Sequence, residues 1–157
     1  MEDYLKAILI TGETAMEELQ IWDLNAQLYI NNGLYQVAVI IGFFIAFRVA
    51  RFSQGAPIFA KVMGTLFGLM ITFFSLQIGA FRTLIDQSTA ILLAEAEAAG
   101  ASLTAQAKSA IALQSAEPGM VATLNLFSDI PTIAISAIVL IMVLGTIWGP
   151  KINFSES

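Results

Sequence analysis

The chain contains no cysteine and no histidine. Without them it has no disulfides, no thiol catalysis, no Cys/His zinc site, and no haem or copper held by imidazole. The commonest general base and pH switch near neutrality is gone as well. A lack of cysteine fits any redox compartment and so does not locate the protein. Charge is also scarce. Only 12% of the 157 residues are charged, against 57% hydrophobic, which is too few polar groups to cover a soluble domain of this size. The net charge is −5 and the basic residues do not cluster, which excludes nucleic-acid binding through a basic face.

The scarcity is uneven. No charged residue occurs between Asp23 and Arg48, between Lys61 and Arg82, or between Asp129 and Lys151. A helix rises about 1.5 Å per residue, so about 20 apolar residues cross the hydrocarbon core of a bilayer. Each run is long enough. A soluble bundle with three buried helices would carry polar stripes, and segments 62–81 and 130–150 carry none. The expected fold is therefore all-α, a polytopic membrane protein with three transmembrane helices in one compact unit. An N-terminal amphipathic helix and an extramembrane Ala-rich helical hairpin between spans two and three complete it.

Residues 1–32 read as an amphipathic N-terminal segment. Leu5, Ile8 and Leu9 share a face, Gly12 is a stop, and Thr14 to Glu17 fits a capping box that starts a second helix. The acidic start and late first apolar run do not resemble a cleavable signal peptide. Asn31-Asn32-Gly33 is a turn signal that either precedes span one or marks the headgroup level. Span one is placed at 33–52, with Gly42, Ala46 and Ala50 at four-residue spacing. A loop at 53–60 holds the turn from Ser53 to Pro57, with Pro57 placed for the first turn of the helix that carries span two, 61–82, which contains Gly64-x-x-x-Gly68 and Ser75-x-x-x-Gly79. Residues 83–129 form the polar, Ala-rich helical region, interrupted at Gly100, capped at Ser102 or Thr104, and stopped near Glu117-Pro118-Gly119. Met120 to Phe127 is apolar enough to lie along a membrane surface. Span three, 130–149, starts at Asp129-Ile130-Pro131 and ends in Gly145-x-x-x-Gly149, before a polar tail at 150–157.

The candidate helix-packing residues are thus Gly42, Ala46, Gly64, Gly68, Ser75, Gly79, Gly145 and Gly149, because small residues four apart let helix backbones approach closely in lipid. The candidate membrane-interface residues are Trp22, Tyr29, Tyr35, Arg48, Arg51, Lys61, Trp148 and Lys151. Three of the seven basic residues lie in the short 48–61 stretch, and Lys151 follows span three. The positive-inside rule then puts that loop and the C-terminus in the cytoplasm, with the N-terminus and 82–129 outside. A bacterial-type inner membrane or a virion membrane is the expected location.

Chemistry is hard to find. Arg48 and Arg51 fit a lipid phosphate, but topology setting and snorkelling explain them as well. Glu95 and Glu97, two apart, point to different sides of a helix and read as solvated charges. Gln36 and Gln77 read as interhelical hydrogen bonders, and Met63, Met70, Phe67, Phe73 and Phe74 as lipid-facing or packed bulk. No ionisable residue is centred in a span and no span has a central Gly/Pro break, the features that ion-coupled transporters need. No catalytic residue, cofactor, metal site or small-molecule substrate is expected.

The expected role is a non-catalytic structural or accessory subunit of a larger membrane assembly, such as a respiratory, secretion or conjugation machine or a membrane-containing virion. Its expected partners are the lipid bilayer and other membrane subunits or copies of itself. The alternative is a homo-oligomeric pore. Three spans with N-terminus out and C-terminus in resemble class I phage holins in topology alone, and Lys151 to Ser157 lacks the strongly charged tail usual there.

Overall fold

Charge-free runs with few breakers fold as helices, and Gly and Pro punctuate them. The computed structural model describes residues 2–150, with side chains from Glu18 onward. The described residues form four helices and no strand: α1 (Glu2–Ser53), α2 (Ile58–Ala98), α3 (Ala105–Gln114) and α4 (Ile130–Trp148). Three helical segments, Glu18–Ser53, Ile58–Ala98 and Ile130–Trp148, are long and apolar enough to cross a membrane.

The helix ends follow local chemistry. Pro57 stands in the break between α1 and α2 and its carbonyl accepts from Ala60 N–H. Gly100, at a φ of 99°, closes α2, with Ala101 N–H bonding back to Ala96 and Gly100 N–H to Glu97. Thr104 caps α3, accepting from Ala107 N–H. Asp129 caps α4 through Thr132 N–H and also accepts from the Thr132 hydroxyl at 2.7 Å.

Two expected breaks differ. α1 continues through Gly12 and through Asn31-Asn32-Gly33, so the N-terminal segment and span one are a single helix. Each of these residues costs a helix no more than about 1 kcal/mol, and helix packing along α1 outweighs that. The face of Leu5, Ile8 and Leu9 and the capping box at Thr14 lie outside the described side chains. α3 ends at Gln114, ahead of the expected stop at 117–119. There Ser115 adopts the left-handed conformation and Ala116 N–H bonds to Ile111, closing the helix as glycine did for α2.

The chain forms two compact units. One gathers the described residues up to Asn32 with Phe81–Asn125, and the other gathers Gly33–Ala80 with those from Leu126 onward. The second unit contains the apolar parts of α1 and α2 and all of α4. In its core Ala46 and Ala50 of α1 meet Val143 and Ile147 of α4, with Phe47, Phe67 and Val139 around them.

The small residues of α2 set the packing of this unit. A β-carbon added at Gly68 would stand 2.8 Å from Val143 Cγ1, and one at Gly79 would stand 3.0 Å from Thr132 Cβ. At Gly64 the neighbours are Ser53 Oγ at 2.9 Å and Ile147 Cδ1 at 3.3 Å. Between these contacts the Ser136 hydroxyl donates to Ser75 Oγ at 2.9 Å. The four contacts on α2 are separated by four, seven and four residues. The partners on α4, read from Ile147 back to Thr132, are separated by the same intervals. Such spacing keeps one face of each antiparallel helix in continuous contact.

Gly145 has no atom within 4 Å of where its β-carbon would stand, whereas a β-carbon at Gly68 would meet Val143 Cγ1 at 2.8 Å. Gly68→Leu should therefore destabilise the fold by about 1–3 kcal/mol, the scale of overpacking a tight contact. Gly145→Leu should be neutral or slightly stabilising, because only its higher helix propensity acts. Thermal unfolding in mild detergent measures both. Equal effects of the two substitutions would contradict the packing described.

Candidate functional site

Unit by unit, the polar side chains fall into three groups: a latch on α3, a set of bonds between α1 and α2, and a basic end of the apolar unit.

The latch begins with Glu18, on the buried side of α1 with 6% of its surface exposed. Its carboxylate accepts from Thr104 Oγ1 at 2.6 Å, from Thr104 N–H at 2.9 Å and from Trp22 Nε1 at 3.1 Å. A carboxylate thus sits at the N-terminus of α3, where free amides and the helix dipole favour negative charge. Beneath it Leu93, Ala101, Leu103 and Ala107 form a small core, covered by Ile21 and Trp22. Burial pushes the Glu18 carboxyl up, but the bonds from Thr104 and Trp22 more than compensate, so its pKa lies below the ordinary value. Trp22 was expected at a membrane interface. In this unit it packs, partly buried, against the core, and its indole N–H donates to Glu18.

The second group ties α1 to α2. Asn25 Nδ2 donates to Thr89 Oγ1 at 2.7 Å, and the Thr89 hydroxyl donates in turn to Ile85 O. The Tyr29 hydroxyl donates to Asp86. Tyr29 therefore has a protein partner, while Tyr35 is exposed.

The third group lies where α1 ends and α2 begins. Arg48 and Arg51 are exposed and, among the described residues, have no carboxylate partner. They line an open groove of about 570 Å³ with Phe44 and Phe52. Lys61 differs: its ammonium lies 5.5 Å above the Trp148 ring, whose Nε1 donates to Thr65 Oγ1 at 3.0 Å. Lys151 lies outside the described residues.

The packing candidates divide clearly. Gly42 faces the Ile71 side chain, and Ala46, Gly64, Gly68, Ser75 and Gly79 all meet another helix of the same chain. Gly145 faces open space, and Gly149 ends α4, its N–H bonding to Gly145 O. Among the described residues, Gly145 therefore meets no other helix. The glutamines differ from expectation too. Gln36 is exposed, Gln77 is partly exposed, and neither bonds a second helix among the described residues. Gln77 lies two residues beyond Ser75, or about 200° around the helix, so it turns away from the seam. Ser75 and Ser136 make the interhelical bond instead.

No group of three or more acidic residues that could hold a metal occurs among the described residues. Glu97 pairs with Lys108 at 3.4 Å on the surface, and Glu95 accepts from Gly119 N–H. Neither family models, nor curated proteins, nor solved structures give a match to this chain.

Sequence reasoning pointed to Thr104 as a cap but not to Glu18 as its anchor. The two lie 86 positions apart, and nothing local to Glu18 signals a distant partner. Val143, Ile147, Ser136 and Thr132 were missed for a related reason. They are ordinary span residues until the small residues of α2 are laid against them.

The latch has a pH signature. A folded-state pKa below the unfolded value means that the Glu18 carboxylate stabilises the fold above the unfolded-state pKa. That contribution is lost as pH falls through the folded-state value. Hydrogen exchange of α3 should accordingly stay slow through the mildly acidic range and quicken only below the usual carboxylate pKa. Glu18→Gln should expose α3 at neutral pH and flatten this dependence. Unchanged protection and an unchanged pH profile in the variant would show that the carboxylate does not anchor α3.

Proposed function

We propose that this chain is a non-catalytic structural or accessory subunit of a larger integral membrane assembly. The observation that supports this reading is apolar surface in the unit that carries most of the acidic residues. There Leu19, Leu113 and Val121 are 67%, 81% and 84% exposed, and Met120 and Leu124 are exposed beside them. Exposed apolar residues in spans have lipid to meet, whereas those in a polar region call for a protein partner. The small-residue face of α2, which would otherwise be an assembly surface, is occupied by α4 of the same chain. Partners accordingly bind elsewhere, on the polar unit.

The topology that suits this reading has the N-terminus and residues 82–129 outside and the 53–60 loop and C-terminus inside, following the distribution of basic residues. The chain has no cysteine, so single introduced thiols report without background. A cysteine at the exposed Ser109 should label from outside intact cells, and one at Gly55 should not. The reverse pattern would invert the topology.

Extraction in mild detergent tests the role itself. The chain should leave the membrane in a defined hetero-complex. Leu113→Glu with Val121→Glu should release it from that complex without loss of its own helical content. A ring of identical subunits that leaks ions in liposomes would favour the pore instead, and a lone chain with no stable partner would overturn both readings.

A further inference from the structure

We propose that the α1 face carrying Arg48 and Arg51 binds the phosphate of one anionic phospholipid, a step beyond generic snorkelling that rests on the membrane reading above. Arg48 and Arg51 are three residues apart and so emerge on one side of the helix. Phe44 and Phe52 stand four residues to either side of Arg48 and complete the same open groove of about 570 Å³. All four side chains are exposed, with Phe44 at the span side and Phe52 at the helix end.

The chemistry of the groove selects its occupant. Guanidinium groups present planar forks that match phosphate oxygens in pairs. Two of them side by side, with no carboxylate partner among the described residues, leave a local charge of the sign that attracts an anion. Lys61, the other cation at this end among the described residues, is occupied by the Trp148 ring and lies outside the groove. An aromatic on each side of the arginines offers an apolar surface for acyl chains. A free phosphate would satisfy the arginines but leave both phenylalanines without a role. A zwitterionic lipid would bring its own cation against two others. An anionic phospholipid satisfies the charge and the apolar flanks together.

Native mass spectrometry of the full chain, released from neutral detergent, tests the proposal. Phosphatidylglycerol, phosphatidylcholine and inorganic phosphate are supplied in separate arms. The expected result is one retained phosphatidylglycerol, little phosphatidylcholine and no retained inorganic phosphate. Arg48→Gln with Arg51→Gln should lower phosphatidylglycerol retention by about tenfold or more, since both charge-assisted contacts to the phosphate are lost together. Lys61→Gln should retain the lipid as the parent chain does. Both variants alter side chains at the surface of the unit, and circular dichroism verifies that each keeps its helices. Equal retention of the two lipids, unchanged retention in the double variant, or retained inorganic phosphate would each overturn the lipid site. A chain that stays in solution without detergent would instead remove the membrane reading beneath it.

Discussion

The apolar unit depends on one contact, the close approach of α2 and α4 along a seam of small residues. In lipid, burying a leucine gains nothing, because the acyl chains are as apolar as the protein. Helices associate there through dispersion contacts and hydrogen bonds, and both require backbones to come near. Gly64, Gly68 and Gly79 remove the side chains that would hold α4 away, and Ser75 adds a hydroxyl pair with Ser136 midway. The matched intervals mean that sliding α4 by one residue would set Val143 and Ile147 against larger residues along the whole seam. The seam therefore sets register as well as proximity. Ala46 and Ala50 bring α1 onto the same two α4 residues, so three helices share one small core.

The polar unit is built on the opposite logic. Its helices are held by specific bonds from one to the next: Glu18 to Thr104, Asn25 to Thr89 and Tyr29 to Asp86. The fully buried part of the core around α3 is two alanines and two leucines, which bury little area. A ten-residue helix such as α3 is too short to persist alone in water, so its capping carboxylate and the contacts of Ala107 are what keep it formed. Exposed leucine and valine side chains in this unit are the places where further stabilisation from a partner would enter.

Much of the fold was legible in the sequence because charge is a global signal. The stretch without charge from Ile130 onward marks α4 almost to the residue, and Pro57, Gly100 and Thr104 mark their boundaries through local backbone chemistry. Of the two readings of Asn31-Asn32-Gly33, the helix break is absent for an energetic reason. Asn and Gly weaken a helix only slightly, and a packed helix carries them through. Gly145 differs from the α2 glycines for a geometric one. Four-residue spacing permits a close approach but does not provide a helix to approach, and among the described residues none stands within 4 Å of a β-carbon at Gly145. For Trp22 the sequence gives no sign of the partner of its indole N–H, which is the Glu18 carboxylate. The bonds that depend on residues far apart in sequence, Glu18 with Thr104 above all, left no trace in local pattern.

The central claim is that α2 and α4 of one chain close the small-residue seam on each other. Cysteines at Ser75 and Ser136 test it most directly, because the native hydroxyl oxygens lie 2.9 Å apart and the chain has no other thiol. Mild oxidation of the folded double variant should form a disulfide within the chain, leaving the monomer mass unchanged under denaturing conditions and each single variant uncrosslinked. Disulfide-linked dimers from the double variant, or no disulfide at all, would show that the seam is not closed within the chain.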